Sequence, residues 1–255
     1  MTKFNGEWLP DIANRFLNEC IDIVNDESKF NTFKQNSIFC QVIGNDIRSK
    51  ELADIYYNNI LANTNIINNI KKYKSNDIIG NPILYEYPNI GYISPGTLYF
   101  LNILQDLQLH FGDISNFNIV EIGTGYGGQA KIILDSNIIS YTAIDVEPTL
   151  NLCKKYLNSF NYNNITFYDT NSIIIKDYDL VISNWCLSEF NEEGIKYYID
   201  TIIKHCNNGY FLMNIWDERK QFLLDYLKQY FTDIQIFPEN PKTHSNDNWT
   251  LIIKK

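Results

Sequence analysis

The sequence predicts an α/β fold in which a parallel sheet ends in an antiparallel hairpin and follows a helical appendage. From residue 117 onward, short apolar segments typical of buried strands alternate with segments whose apolar residues recur at helical spacing. No helical pattern separates the last two strand-like segments, so we expect them to pair in antiparallel fashion. Residues 1–75 contain helical patterns and no strand-like segment. We therefore predict three regions: an N-terminal helical region (1–75), a lid or acceptor loop with a leading helix (76–116) and a cofactor-binding core (117–255).

The first two regions differ in their patterns. Apolar residues at three- and four-residue spacing predict a helix over 8–26, which Pro10 is placed to start, and a second helical stretch over 49–74. Residues 76–97 are rich in proline, glycine and tyrosine, and we interpret this segment as a loop that closes over the core. A helix over 98–111 then leads into the core.

The core alternates strands and helices in the way that forms a parallel sheet, and we interpret it as five βα units followed by the hairpin. The predicted strands cover 118–123, 140–145, 164–169, 179–184, 209–216, 233–239 and 248–255. The predicted helices cover 127–136, 148–160, 189–206 and 219–231.

Composition excludes several classes of partner. The net charge of −9 argues against nucleic acid, because binding phosphates requires clustered lysine and arginine, and no basic run exceeds a pair. The N-terminus lacks a signal-peptide pattern and no apolar stretch approaches the length of a membrane span, so we expect a cytoplasmic protein without membrane insertion. The five cysteines are dispersed without a C-x-x-C pair, and no dense carboxylate cluster occurs, so no metal site is expected. A homodimer is compatible with the sequence.

The most informative segment is 119–134, which reads as a buried strand, a glycine-rich turn and the start of a helix. Gly123, Gly125 and Gly128 match the dinucleotide-binding spacing, and Asp145 ends the next predicted strand, where it can accept both ribose hydroxyls. This pattern fits NAD(P) as well as S-adenosylmethionine. The open alternatives are therefore an NAD(P)-dependent oxidoreductase and a cofactor-binding module without catalysis.

Two features favour S-adenosylmethionine. Glu121 lies beneath the turn, where a carboxylate is awkward beside a pyrophosphate but suits an ammonium and a sulfonium. The terminal hairpin also differs from the sheet of six parallel strands that binds dinucleotides.

Several segments resemble one family. These segments are IGNP, GYISPGTLYFL, EIGTGYGGQ, IDVEP, DLVISNWCLSEF and GYFLMN. Together they are similar to the class I S-adenosylmethionine-dependent methyltransferases that are grouped as sugar O-methyltransferases, over about residues 76–216. The family patterns run close to E-I-G-G-G-Y-G-G-Q, D-L-P-E, S-N-Y-A-F-S-E and S-P-T-T-L-R-Y. This chain departs from them at Thr124, at Trp185-Cys186, and at Tyr99, which stands where the pattern tends to have arginine.

The resemblance implies a Rossmann-like class I methyltransferase fold and a set of cofactor-binding residues. These are Glu121, Gly123, Thr124, Gly125, Tyr126, Gly127, Gln129, Asp145, Val146, Asp169 and Asn184. We expect Asp145 to hold the ribose, Val146 to line the adenine, and Asp169 either to bond the adenine amino group or to be a turn residue.

Catalysis requires a group that aligns an acceptor hydroxyl and removes its proton. Asn184 is expected at the methyl-donor end of the cofactor. Glu189 is either the general base or a carboxylate that complements a helix N-terminus, and His244, in the last loop, is the alternative base. The candidate acceptor-binding residues are Tyr85, Tyr92, Ser94, Trp185 and Asn214.

These observations favour an O-methyltransferase that acts on a hydroxyl of a sugar or nucleotide-sugar during surface glycan biosynthesis. One alternative is methylation of another small polar acceptor, such as a phosphate or phosphoramidate group. The alternative from another class is the NAD(P)-dependent oxidoreductase.

Overall fold

The computed structural model describes residues 10–43, 49–215, 218–242 and 248–255. His244, the predicted alternative base, lies outside the described residues.

The N-terminal region is helical as far as a small hairpin. Its helices are α1 (Pro10–Asn25), α2 (Glu27–Phe30), α3 (Ser37–Ile43), α4 (Lys50–Ile60), α5 (Thr64–Asn68) and α6 (Ile70–Tyr73). The helix predicted over 8–26 is confirmed as α1, whereas the pattern over 49–74 is broken into α4, α5 and α6. One break lies at Asn63, whose side chain accepts a hydrogen bond from Ile66 N at 3.1 Å and so starts a new helix.

The predicted loop contains regular structure that its sequence pattern did not reveal. Strands β1 (Tyr85–Tyr87) and β2 (Gly91–Ile93) pair in antiparallel fashion, and α7 (Pro95–Phe111) follows. Asp77 anchors the start of α7. Its carboxylate accepts hydrogen bonds from Ser94 N (2.8 Å), Ser94 Oγ (2.6 Å) and Thr97 Oγ1 (2.6 Å), while Ser94 Oγ caps the helix by accepting from Thr97 N.

The core is one sheet of seven strands with helices between most of them. Its strands are β3 (Asn118–Ile122), β4 (Ser140–Asp145), β5 (Ile165–Asp169), β6 (Tyr178–Asn184), β7 (Cys206–Met213), β8 (Asp233–Pro238) and β9 (Trp249–Lys254). Its helices are α8 (Gly128–Leu134), α9 (Glu147–Asn158), α10 (Glu192–Thr201) and α11 (Glu218–Leu227). The strand order is β5-β4-β3-β6-β7-β9-β8, parallel as far as β7 and antiparallel at β9 and β8. The predicted parallel sheet with a terminal antiparallel hairpin is confirmed.

Two details of the core prediction are wrong. The predicted helices leave none between the third and fourth strands, and none joins β5 to β6 within the described residues, so the count of five βα units is wrong and four precede the hairpin. The helix predicted over 189–206 ends at Thr201, because Cys206 already begins β7 and its side chain is buried. The apolar residues of that segment are buried in two elements, α10 and the start of β7, although their spacing in the sequence is continuous.

The two faces of the sheet bury separate apolar clusters. Alternate residues of β3 point to opposite faces, so Ile119 packs with α7, α8, α9 and the N-terminal helices, while Val120 packs with α10 and α11. Polar contacts also join the appendage to the core. The ammonium of Lys131 on α8 is buried and donates to Lys72 O (3.0 Å) and to Asp135 Oδ2 (2.6 Å). The appendage is therefore part of the packing of the core.

Across the described ranges, no helix is both long and apolar enough to cross a bilayer.

Replacement of Asp77 by alanine removes the acceptor of three hydrogen bonds at the start of α7, two of them from buried hydroxyls. We expect Asp77→Ala to lower the free energy of unfolding by about 2–4 kcal/mol, measured by urea denaturation. The matched control is Asp113→Ala, which removes two hydrogen bonds to Ser115 at an exposed site and should cost less than about 1 kcal/mol. Equal losses for both variants would show that Asp77 does not anchor α7.

Candidate active site

The strand order places a crevice at the carboxyl ends of β3 and β6. The chain proceeds from β3 to β4 and β5 on one side, and then returns to β6 and β7 on the other side of β3. Ligands of open α/β sheets bind at such a reversal point, because the loops that follow the two central strands diverge there. The glycine turn follows β3, and the loop that begins at Trp185 follows β6.

The glycine turn is shaped by left-handed backbone and by a close contact across the crevice. Gly123, Gly125 and Gly127 have φ values of +82°, +56° and +90°. At Gly123 an added Cβ would lie 2.2 Å from Cys186 Cβ, in the loop after β6. Glycine is therefore required at 123 both by the backbone and by the side chain that covers it.

Glu121 is a buried carboxyl group directly beneath this turn. It is 3% exposed, and its Oε2 accepts hydrogen bonds from Thr124 Oγ1 and Tyr141 OH, both at 2.6 Å. Loss of hydration raises the pKa of Glu121 to about 7, and the two hydrogen bonds only partly offset this effect. Thr124, which departs from the family's glycine, thus holds the carboxyl group in place.

Asp145, at the end of β4, is the second carboxyl group of the crevice. Its Oδ2 accepts from Gly125 N at 2.9 Å and its Oδ1 accepts from Val146 N at 2.8 Å. Desolvation raises its pKa to about 7 despite these two bonds. The structure thus brings Asp145 to the glycine turn, as its position in the sequence predicted. Val146 immediately precedes α9 and is half-buried beside it.

Asp169 has the contacts of a turn residue. Although it pairs with Asp145 in the register of β4 and β5, its carboxylate accepts from Asn171 N (2.8 Å) and Ser172 Oγ (2.7 Å). These bonds, led by the Ser172 hydroxyl, lower the pKa of Asp169. Of the two predicted roles, the local geometry matches the turn.

The side chain of Tyr126, in the glycine turn, is buried in an aromatic cluster. The family resemblance places Tyr126 among the cofactor-binding residues, but its ring is 5% exposed and packs against aromatic rings of the appendage and of the core helices. The ring centroids of Phe33 and Tyr156 lie 5.3 and 5.1 Å away. The predicted role of Tyr126 in cofactor binding is therefore corrected: its ring packs the turn onto the N-terminal helices.

Asn184 and Gln129 bridge the crevice from opposite sides. Asn184 ends β6, Gln129 lies in the first turn of α8, and Asn184 Nδ2 donates to Gln129 Oε1 at 2.7 Å. Asn184 Oδ1 and Gln129 Nε2 are buried and make no hydrogen bond within the described structure. If both amides are flipped, one donor and one acceptor still remain without a partner, so the result does not depend on the amide assignment.

Trp185 is held in an unusual backbone conformation next to this pair. Its φ is +69°, a value that costs a bulky residue about 1–3 kcal/mol and that recurs at ligand sites. Trp185 N donates to Leu212 O at 2.9 Å, and its indole Nε1 donates to Tyr99 OH at 3.1 Å. These bonds direct the indole ring toward α7, so that it links the crevice to that helix.

One of the two roles predicted for Glu189, a carboxylate that complements a helix N-terminus, requires a helix to begin there. No α-helix begins at Glu189. Glu189 ends a single 3-10 turn over Leu187–Glu189 and is half-buried, while α10 begins at Glu192 with Asn191 as its cap. The acidic residues at the helix N-terminus are therefore later ones, and that alternative for Glu189 is wrong. Asn214, just after β7, has an exposed side chain, and its N–H donates to Ser188 Oγ at 3.1 Å.

The upstream acceptor candidates lie on the β1–β2 hairpin and at the start of α7, where the register of the hairpin places Tyr85 and Tyr92 on opposite faces. Tyr85 and Tyr92 are on the β1–β2 hairpin, Tyr85 half-buried and Tyr92 59% exposed. Ser94 is 4% exposed and is occupied as the cap of α7, bonded to Asp77 and Thr97, so we correct its expected role from acceptor binding to helix capping. The interpretation from sequence also missed Cys186 as the residue that covers Gly123, and no local pattern signals a contact between two loops so far apart in the chain.

The raised pKa of Glu121 makes a prediction about stability and pH. Because its pKa is about 7 in the folded protein against an ordinary 4.5, Glu121 stabilises the fold fully below pH 4.5, and this stabilisation is lost as the pH rises through 7. Glu121→Gln keeps an acceptor for Thr124 and Tyr141 and does not titrate. Between pH 4.5 and pH 7.5 we expect the free energy of unfolding to fall by about 3 kcal/mol more in the wild type than in Glu121→Gln. Glu147→Gln, at an exposed position, is the control, and its free energy of unfolding should depend on pH as that of the wild type does. If Glu121→Gln shows the same pH dependence as the wild type, the pKa of Glu121 is not raised in the folded protein.

Comparison with known proteins identifies the fold. No family model matches the chain. The chain superposes on the methyltransferase domain of bacterial CtHen1 with a TM-score of 0.51 and 10% identity, covering 62% of this chain and 97% of that one. It superposes on a Pyrococcus horikoshii protein described as a candidate RNA methyltransferase with a TM-score of 0.50 and 14% identity, covering 74% of this chain and 98% of that one.

Sequence similarity reaches one curated protein over a short stretch. The non-reducing polyketide synthase mapC of Penicillium brevicompactum is 30% identical over 106 aligned residues, which cover 36% of this chain. The chain spans only 4% of that protein's length. The strand order, the terminal hairpin and the structural superpositions together show that this chain has the Rossmann-like fold of class I methyltransferases.

Proposed function

We propose that the protein is an S-adenosylmethionine-dependent methyltransferase that transfers the methyl group to a hydroxyl of a sugar or nucleotide-sugar, in the synthesis of a surface glycan. The observation that carries the proposal is the Asn184–Gln129 pair, which leaves one buried donor and one buried acceptor at the crevice. Buried polar groups without partners are costly, and a ligand that bonds both of them removes this cost.

The residues of the crevice suit the amino-acid end of S-adenosylmethionine. Its carboxylate can accept from the spare amide N–H, and its ammonium can donate to the spare amide oxygen. Glu121 and Asp145 add two desolvated carboxyl groups, and their hydrogen-bond partners in the described structure are hydroxyl and backbone N–H groups. Such a site attracts positive charge and repels a pyrophosphate, which supports S-adenosylmethionine over NAD(P).

Bound S-adenosylmethionine would supply an electrophilic methyl group, so the chain itself needs to orient the acceptor and accept a proton. We propose Glu189 as the general base, because it lies five residues beyond Asn184 in the loop after β6, at the edge where the crevice opens. Its backbone is fixed by the bond from Glu189 N to Cys186 O at 3.0 Å. His244 remains the alternative base, and the net charge of −9 disfavours RNA as the acceptor.

The proposal is tested by incubating the protein with methyl-labelled S-adenosylmethionine and a panel of sugars and nucleotide-sugars, with products read by mass spectrometry. We expect one methyl group on a sugar hydroxyl. Methylation of a phosphate or phosphoramidate instead would favour the other acceptor class. Binding of NAD(P) without binding of S-adenosylhomocysteine would overturn the proposal.

Replacement of Glu189 tests the base. Glu189→Gln should lower kcat by at least about 100-fold and leave the Kd for S-adenosylhomocysteine within about twofold, because a general base acts only in the chemical step. Glu192→Gln, at the start of α10, is the matched control and should keep wild-type turnover. If Glu189→Gln retains full turnover, Glu189 is not the base.

Replacement of Gly123 tests the close contact that shapes the site. Gly123→Ala introduces a Cβ 2.2 Å from that of Cys186, so we expect the affinity for S-adenosylhomocysteine to fall at least about tenfold. Gly112→Ala is the control: its φ is also positive, at +74°, but nothing lies within 4 Å of the added Cβ. The backbone of Gly112, with ψ at −143°, is close to a conformation that only glycine ordinarily adopts, so this variant should lose about 1–3 kcal/mol of stability and keep its affinity. Equal affinities for the two variants in a calorimetric titration would show that the Gly123–Cys186 contact does not shape the binding site.

A further inference from the structure

Arg219, in the first turn of α11, holds the backbone on both sides of the proposed base. Its Nη1 donates to Ser188 O at 3.4 Å and to Phe190 O at 3.2 Å. A terminal nitrogen of a guanidinium group carries two hydrogens, so the same nitrogen can bond both carbonyl oxygens. Because Glu189 lies between Ser188 and Phe190 in the chain, Arg219 bridges its two immediate neighbours.

Both carbonyl groups lie where a helical turn ends. Leu187–Glu189 is a single 3-10 turn, and Phe190 is extended, with φ at −95° and ψ at 148°. The last carbonyl groups of a helical turn have no partner within it, and a cationic side chain can satisfy them and complement their dipoles. Hydrogen bonds from a cation are also stronger than those between neutral groups. The turn that carries Glu189 is therefore held at its end by charge-assisted bonds.

Two neutral hydrogen bonds hold the same segment on the side before the base. Leu187 N donates to Ser183 Oγ at 3.2 Å, and Asn214 N donates to Ser188 Oγ at 3.1 Å. Ser188 is 5% exposed, so this part of the segment is packed against the ends of β6 and β7. The arginine extends the hold to the residue that follows the base.

The start of α11 is itself fixed to the sheet, next to Arg219. The ammonium of Lys220 lies 4.4 Å from the ring centroid of Trp249, at the start of β9. Trp249 is 3% exposed, and its indole Nε1 donates to Ile215 O at 3.2 Å. A side chain supported by rigid elements can hold a functional group more precisely than one on a loop.

We propose that Arg219 is a positioning residue, which fixes the backbone of Glu189 so that the carboxylate reaches the acceptor hydroxyl. This inference rests on the proposed function, in which Glu189 accepts the proton. Misplacement of a reacting group by about 1 Å can lower a rate by about 100-fold, so loss of the two bonds should act on the chemical step.

The kinetic test uses Arg219→Met and the acceptor that is methylated fastest in the panel of sugars and nucleotide-sugars. We expect kcat to fall at least about 30-fold, while the KM for the acceptor and the Kd for S-adenosylhomocysteine stay within about threefold. Arg219→Lys keeps a cationic donor and should lose less than about fivefold in kcat. Arg15→Met removes the same charge at an exposed site on α1 and should behave as wild type.

Two results of this test would overturn the inference. A loss of affinity for S-adenosylhomocysteine as large as the loss of kcat would show that Arg219 supports the whole site and does not position the base. A kcat in Arg219→Lys as low as that in Arg219→Met would show that a donor to the two carbonyl groups is not what matters.

The combined variant tests whether Arg219 acts through Glu189. If it does, adding Arg219→Met to Glu189→Gln should lower kcat by less than about twofold further, because the base is already absent. Losses that multiply in the combined variant would overturn the inference and leave the proposed methylation of sugars standing.

Hydrogen exchange separates this inference from the proposed function, because it needs no acceptor. Glu189 N donates to Cys186 O at 3.0 Å, so exchange of its amide hydrogen reports opening of the turn. In the protein without added ligand, we expect peptides that cover 186–190 to exchange at least about tenfold faster in Arg219→Met than in wild type and in Arg15→Met. Faster exchange without methylation of any sugar would refute the proposed function and support the hold of Arg219 on Glu189. Unchanged exchange would overturn that hold whatever the protein methylates.

Discussion

The contact between Gly123 and Cys186 is the constraint on which the rest of the site depends. It closes the turn after β3 against the loop after β6, so the two central strands of the sheet end at a shared crevice. The same turn is fixed from behind by Tyr126, whose ring is buried among aromatic residues of the appendage. The appendage is thereby coupled to the crevice, and a change in its packing would reach the glycine turn through one buried ring.

Charge distribution explains what the crevice can bind. Glu121 and Asp145 are desolvated carboxyl groups held by neutral donors, so burial disfavours their charged form, and a cationic ligand beside them would lower this cost. The Asn184–Gln129 pair has the same character, because it leaves a donor and an acceptor buried. Strained or unsatisfied groups gathered at one point of an otherwise well-packed sheet are typical of a functional site.

The sequence predicts the core of this fold better than its edges. The strand, glycine turn and helix around residue 123 could be recognised because each local preference agrees with the final fold. Glu121 and Asp145 followed from their positions at strand ends. By contrast, the direction of the Tyr126 ring and the pairing of Trp185 with Tyr99 depend on packing between distant segments.

The central claim is that the crevice binds S-adenosylmethionine through its buried polar groups. The most direct measurement is calorimetric titration of the protein with S-adenosylhomocysteine and, separately, with NAD, repeated on the variant Gln129→Leu, which removes one member of the amide pair. We expect the protein to bind S-adenosylhomocysteine and not NAD, and we expect the affinity for S-adenosylhomocysteine to fall at least about tenfold in the variant. Binding of NAD alone, or an affinity for S-adenosylhomocysteine that is unchanged in the variant, would contradict this claim.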